Sequence, residues 1–149
     1  MTRSAVLASI FLLALAPAAR SQNAWRDVLE AQMEAVGTTV AGDGYRQDSS
    51  AFHTDMIVGT LANGASVALE VDLEFGVEYM IVGVCDNDCT DLDLSLVDLQ
   101  GNVLFEDALD DDAPILSFTA PAGGAHFLDV YMYACSVEPC SFGYKVYRR

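Results

Sequence analysis

The residues best equipped for chemistry in this 149-residue chain lie in CDNDCTDLDLSLVDLQGN, from Cys85 to Asn102, which holds five aspartates and two cysteines. Asp86, Asp88, Asp91 and Asp93 are oxygen donors, and a hard cation such as calcium takes roughly six to eight oxygens from carboxylates, carbonyls and water. A second acidic run, Asp110, Asp111 and Asp112, with Asp107 just before it, could contribute from a neighbouring loop. A bridge from Cys85 to Cys89 would hold Asp86 and Asp88 in a tight bend, where like charges repel unless solvent or a cation screens them. The stretch is not an EF-hand: counted from Asp86, Asp91 stands at the glycine position and Val97 where the bidentate glutamate belongs. Calcium bound by these aspartates is one expectation, and a solvated acidic loop in an acidic protein is the other.

The four cysteines fall as two close pairs, Cys85/Cys89 and Cys135/Cys140. An even count in an exported chain reads as two disulfides, with three pairings open. Bridges within each pair close short loops worth only ~2 kcal/mol each, against ~4 kcal/mol for a long bridge such as Cys85 to Cys140. The local pairs are favoured, with loop shaping as their main effect. Four thiolates on zinc are the competing use, but that needs a reducing or metal-rich setting and tighter spacings.

Export itself is read from the start of the chain. MTRSAVLASIFLLALAPAARSQ has a basic opening at Arg3, an apolar run from Ala5 to Ala16 and small residues before a polar break. That is the layout of a secretory signal peptide, and its apolar run is shorter than the roughly 20 residues a membrane span needs. Cleavage is expected before Gln22, with Ala19 and Ser21 at the small-residue positions, or alternatively after Ala18. The expected organisation is a signal peptide over 1–21, a helix and linker over 22–51 and one sandwich domain over 52–149, secreted or periplasmic and not inserted in a membrane after cleavage.

Loss of Arg3 and Arg20 with the signal moves the formal charge from −15 to −17. Nucleic acid and anionic membrane surfaces are bound through excess Lys and Arg, so this balance argues against both. It suits cations, basic partners or solubility alone.

In the mature chain, Trp25, Val28, Leu29, Met33 and Val36 recur at helical spacing, with Asn23 as an N-cap and Gly37 as a stop. The apolar stripe of this short helix should cover an end or edge of the domain, with docking on a partner as the alternative. A linker rich in Gly, Ser and Asp follows, and from Phe52 the period changes to two. Strands are predicted over Phe52–Leu61, Ala65–Leu73, Val77–Cys85, Leu92–Asp98, Asn102–Asp107, Ile115–Thr119, Ala125–Ala134 and Ser141–Tyr147. Turn chemistry separates them at Asn63-Gly64, Phe75-Gly76, Gln100-Gly101, the acidic run before Pro114, and APAGG from Ala120. About eight short strands at this spacing imply an all-β, antiparallel, jelly-roll-like sandwich.

The alternation also sorts side chains by face. Val67, Leu69, Val71 and Leu73 point one way and Glu70, Asp72 and Glu74 the other; Leu92, Leu94 and Leu96 oppose Asp93 and Ser95. Acidic outer faces discourage edge-to-edge aggregation, which accounts for part of the charge. Phe127, Tyr131 and Tyr133 share a face opposite Leu128, Val130 and Met132, and with Tyr147 on the next strand they make a candidate ligand face. The competing expectation is that the N-terminal helix covers them.

The order of these segments resembles the bacterial pre-peptidase C-terminal domains, relatives of the collagen-binding modules of secreted collagenases. The resemblance is carried by GTLANGASVALEVDLEFGVEYMIVGV from Gly59, DLDLSLVDLQGNVLFED from Asp91, DDDAPILSFTAPAGG from Asp110 and HFLDVYMYA from His126. It implies a jelly-roll-like sandwich, export, no catalysis and, in some relatives, calcium binding and adhesion to fibrous or peptide ligands. The chain departs from the pattern in having no peptidase domain ahead of the sandwich, in placing His126 where an aromatic is common, and in its four cysteines.

No Gly-x-Ser-x-Gly elbow is present, and neither His53 nor His126 lies in a nucleophile context. The expected function is a non-catalytic binding or accessory module for a protein, peptide or glycan ligand. A small extracellular hydrolase is the alternative from another class, and an inhibitor or structural envelope protein is the third.

Overall fold

The computed structural model describes residues 21–50 and 55–149, and side chains from Ala24 onward. The signal segment, His53 and the first residues of the strand predicted from Phe52 lie outside the described residues. One helix, α1 (Ser21–Gly42), precedes nine strands: β1 (Arg46–Gln47), β2 (Ile57–Leu61), β3 (Ser66–Leu73), β4 (Glu78–Cys85), β5 (Cys89–Val97), β6 (Val103–Asp107), β7 (Ile115–Thr119), β8 (Gly124–Cys135) and β9 (Cys140–Arg148).

The strands form two antiparallel sheets. One has the order β1–β9–β4–β7, with β2 also paired to β9 beyond the end of β1; the other has the order β3–β8–β5–β6. Consecutive strands mostly alternate between sheets, which is the jelly-roll form of the β-sandwich. The alternation read from the sequence is what closes it. Val71, Leu73, Leu92, Leu94, Leu96, Leu128, Val130 and Met132 of the four-stranded sheet meet Tyr79, Ile81, Leu116, Phe118, Phe142, Tyr144 and Val146 of the five-stranded sheet in one buried core.

The five-stranded sheet is buried on its other side as well. Leu29, Met33 and Val40 of α1 form a second apolar cluster with Tyr45, Val82, Val84 and Tyr147, and Trp25 and Val36 pack against it. The helix therefore lies across β4 and β9, not at an end of the domain. It also begins earlier than Asn23 and continues past Gly37 to Gly42. Gly37 is a contact point rather than a stop: a Cβ built there would stand 3.1 Å from the Tyr147 hydroxyl, so the missing side chain lets helix and sheet approach. The linker supplies β1, too short to show a period of its own, which pairs Arg46 with Arg148 and Gln47 with Tyr147.

Salt links at the chain's end tie these layers together. Arg148 donates from both terminal nitrogens to Glu74, at 2.6 and 2.9 Å, while its guanidinium lies 5.7 Å over the ring of Tyr79. That pairing holds the Glu74 carboxyl below its ordinary value. The Tyr79 oxygen, buried behind it, accepts the Glu74 backbone N–H at 3.1 Å. Arg149 pairs with Glu78 and covers the ring of Tyr45.

Leu29 is fully buried at the centre of the helix–sheet cluster. Leu29→Ala is expected to lower unfolding stability by about 2–5 kcal/mol in urea titrations; a loss under about 1 kcal/mol would show that the helix does not pack as described.

Candidate functional site

Two disulfides shape one end of the sandwich, and both are the local pairs. Cys85–Cys89 joins the end of β4 to the start of β5, and Cys135–Cys140 closes the connection from β8 to β9, with Cα–Cα distances of 5.9 and 5.8 Å. The loops are bound to each other. Asp86 Oδ2 accepts the Ser141 N–H at 2.7 Å, and the Asp88 carbonyl accepts both the N–H and the hydroxyl of Ser136 at 2.8 Å. Asn63 reaches in from the β2–β3 turn, its Oδ1 accepting the Cys135 N–H at 2.8 Å. Val137, at the tip, is 62 % exposed. A cleft of about 360 Å³ lies between these loops and the first turns of α1, lined by Trp25, Val28, Asp86, Asp88, Pro139 and Ser141 among others.

The aspartates of the opening stretch separate by role. Asp86 is a turn residue as well as a loop tie, since its Oδ1 accepts the Asp88 N–H. Asp98 accepts the N–H groups of Gln100 and Asn102 and the Asn102 side-chain amide; these bonds hold its carboxyl below the ordinary value and build the β5–β6 turn. Asp107 accepts the Leu109 and Ile115 N–H groups, and Asp111 accepts that of Ala113, so the acidic connection from β6 to β7 is folded around its own carboxylates. That loop lies against β5, where the Asp111 carbonyl accepts the Leu92 N–H at 3.0 Å.

Asp91 and Asp93 are different. The β5–β8 register shifts on both sides of Asp91, and Asp91 is 7 % exposed with no hydrogen-bond partner for Oδ1. Burial pushes its carboxyl up, and the charges of Asp110 and Asp111 add to the effect. Asp93, half-buried and opposite Tyr131, is raised first by burial and then by the charges of Asp91, Glu106, Asp107 and Asp111. The structure thus brings Asp91, Asp93, Asp110 and Asp111 within electrostatic reach of one another. Among the described residues no group of three or more His, Cys, Asp or Glu side chains is arranged to hold a metal ion, so the calcium expectation gains no ligand set from them. Asp112 contributes its backbone carbonyl, which lies 3.7 Å from Cys85 Sγ.

Of the aromatic candidates, Phe127, Tyr131 and Tyr133 lie on the outer face of the four-stranded sheet. Tyr131 and Tyr133 pack edge to face at 6.1 Å, and Tyr133 is 60 % exposed. The helix does not cover them, because it lies on the opposite sheet. Tyr147 is a correction: it belongs to β9, is 6 % exposed and is buried beneath α1, so it cannot extend this face. Register adds Ala68, Asp129 and Glu106, not singled out from the sequence, to the outward Glu70 and Ser95. Asp129 stands between Ala68 and Ser95, and Ser95 in turn pairs with Glu106; Glu70 pairs with Phe127. The period-two pattern that placed Tyr131 outward also places Asp129 there.

His126 points inward, 4 % exposed, with Nδ1 2.9 Å from the Gly124 carbonyl. His53 lies outside the described residues.

No protein-family model and no curated protein matches this chain. Solved structures do. The pre-peptidase C-terminal domain of a collagenase from Bacillus anthracis is 18 % identical, covers 62 % of this chain and 87 % of its own, with a TM-score of 0.49. PliG of Aeromonas hydrophila, a periplasmic inhibitor of g-type lysozyme, is 14 % identical, covers 68 % of this chain and 92 % of its own, with a TM-score of 0.45.

A carboxyl raised in the folded state takes up protons more readily than in the unfolded chain. Its ionised form therefore costs stability above the raised pKa, and the cost vanishes below the unfolded value near ~3.9. Asp91→Asn is expected to raise the melting midpoint at pH 7 by a few degrees, the size of shift that about 1 kcal/mol gives in a domain this large. The gain should disappear at about pH 3. Equal midpoints at pH 7, measured by thermal melts across pH, would mean the buried carboxylate is not strained.

Proposed function

We propose that this chain is an exported, non-catalytic binding module that recognises a protein, peptide or glycan ligand through the outer face of its four-stranded sheet and the adjoining loops. The observation that carries this reading is the uncovered position of Tyr131 and Tyr133 on a rigid sheet whose other side is core. Tyrosine presents a large contact area at small entropic cost, and a sheet fixes its direction before the ligand arrives. The two disulfides support an oxidising compartment. Among the described residues, no helix is long and apolar enough to cross a membrane. The absence of a nucleophile elbow and the engagement of His126 with its own strand support a role without catalysis.

A second reading, inhibition of another protein by an inserted loop, is favoured by the Cys135–Cys140 connection, which holds Val137 exposed at a braced tip. In that case Val137→Asp, not the tyrosine pair, would remove binding.

The test is pull-down of ligands from an extracellular fraction by the immobilised mature protein, followed by retention measurements with variants. Tyr131→Ala with Tyr133→Ala should reduce retention by about tenfold or more, in the range of lost interface anchors, without changing the melting midpoint by more than a few degrees. Turnover on a broad hydrolase panel, or undiminished retention by the double variant, would sink the proposal.

A further inference from the structure

Resting on the binding-module reading, we infer that the partner of the four-stranded sheet is a basic protein surface, whose Lys and Arg side chains dock on the carboxylates and tyrosines of that face. Between Arg46 and Lys145 the chain contains no lysine and no arginine. Among the described residues, Arg26, Arg46, Lys145, Arg148 and Arg149 all belong to α1, β1, β9 or the residue after β9. Three of them are paired with carboxylates: Arg26 with Glu30 in the same helix, Arg149 with Glu78 of β4, and Arg148 with Glu74, just past the end of β3. Among the described residues, the lysine and arginines thus belong to α1 and the helix-covered sheet, and the strands of the other sheet carry none, Arg148 reaching only to Glu74 beyond the end of β3.

Register fixes what that other sheet presents. Across its outer face run Ala68, Asp129, Ser95 and Glu106 in one row, Glu70, Phe127, Val97 and Val103 in a second, and Ser66, Tyr131 and Asp93 in a third. Strand spacing of about 4.8 Å and a same-face repeat of about 6.8 Å spread these carboxylates more widely than one metal ion can gather, and at the spacing of side chains on a protein surface. Each row sets its carboxylates beside aromatic or small residues: Ala68 and Ser95 in the first, Phe127 in the second, Ser66 and Tyr131 in the third. Tyr131 stands beside Asp93, a combination that offers a guanidinium both a carboxylate and a ring face.

A second observation points to a cation independently of the charge count. Asp91, more than nine-tenths buried, has no partner for Oδ1 where the charges of Asp110, Asp111 and Asp93 converge. A buried acceptor of this kind is normally satisfied, and a Lys or Arg side chain brought to the rim of the sheet would offset the carboxylate charges gathered around it.

The experiment measures binding of a fluorescent peptide of alternating Arg and Gly to the mature, oxidised protein by anisotropy, at roughly 50 and 150 mM salt. Two variants remove the same number of charges: Glu70→Gln/Asp93→Asn/Asp129→Asn on the sheet face, and Asp27→Asn/Glu34→Gln/Asp43→Asn on the helix side. The face variant should bind about tenfold more weakly, while the helix variant should change less than about twofold. Asp91→Asn should bind severalfold more weakly although it melts higher, a combination that a purely structural role does not produce. Equal weakening in the two triple variants would overturn the inference in favour of unspecific attraction to a net charge. Displacement of the peptide by calcium but not magnesium would overturn it in favour of a metal site. If retention of the natural ligand falls with the tyrosine pair but not with the face charges, the binding face stands and the basic partner is wrong; if it responds to neither, both fail.

Discussion

Everything in this molecule depends on two sheets hiding one face each against the other. The inner faces carry the largest buried side chains, Tyr79, Ile81, Leu92, Leu94, Leu96, Leu116, Leu128 and Met132 among them, and with a chain of this size the burial of such residues is the main term against conformational entropy. Because side chains alternate along a strand, the inner requirement decides the outer face too. Each residue between two core positions must be something that water, a helix or a partner can accept. The two sheets meet that condition differently. The five-stranded sheet accepts α1, so that Val82 and Val84 are buried on the side away from the core. The four-stranded sheet keeps Glu70, Asp93, Asp129 and Glu106 there instead.

That difference was partly legible in the amino-acid pattern. Clean alternation in Val67–Leu73 and Leu92–Leu96 gave strands with one wet face, and the turn glycines and the Asp98–Gly101 turn gave their limits. The local disulfides were the favoured of three open pairings, although loop entropy alone would reward a long bridge more. The docking place of the helix was less legible, although β4 holds a signal: from Tyr79 to Cys85 its residues are almost all apolar, as expected of a strand covered on both sides. β1 could not be read, since two residues have no period and pair only because β9 extends past them. Gly37 misled because glycine after an apolar stripe usually ends a helix, whereas here it makes room for Tyr147. Tyr147 was misplaced for another reason: a period of two places a residue on a face of its strand but does not say to which sheet the strand belongs, and β9 lies in the sheet opposite β8.

The aspartates show where residue type alone runs out. As a run of oxygen donors they look alike, yet Asp86, Asp98, Asp107 and Asp111 are occupied by backbone N–H groups that shape loops, and Asp91 is left with an oxygen unengaged. Only the fold distinguishes a carboxylate that makes a turn from one that is held against its neighbours' charge. Two carboxylates about 5 Å apart repel by roughly 1 kcal/mol in bulk water and more beside a low-dielectric core. A fold can carry such a load when the core beneath is well filled, and functional sites are where such loads are commonly kept.

Among the described residues the four-stranded sheet carries carboxylates without lysine or arginine, whereas the helix-covered layer carries both signs, and this unevenness is a permanent dipole whose negative pole lies outside the four-stranded sheet. A charged body approaching from any direction meets not only the attraction of the net charge but also a torque. That torque turns the four-stranded sheet toward positive charge. Holding Arg148 and Arg149 on the far layer from Tyr131 and Asp93 therefore acts at a distance, through orientation, in addition to the ion pairs they make.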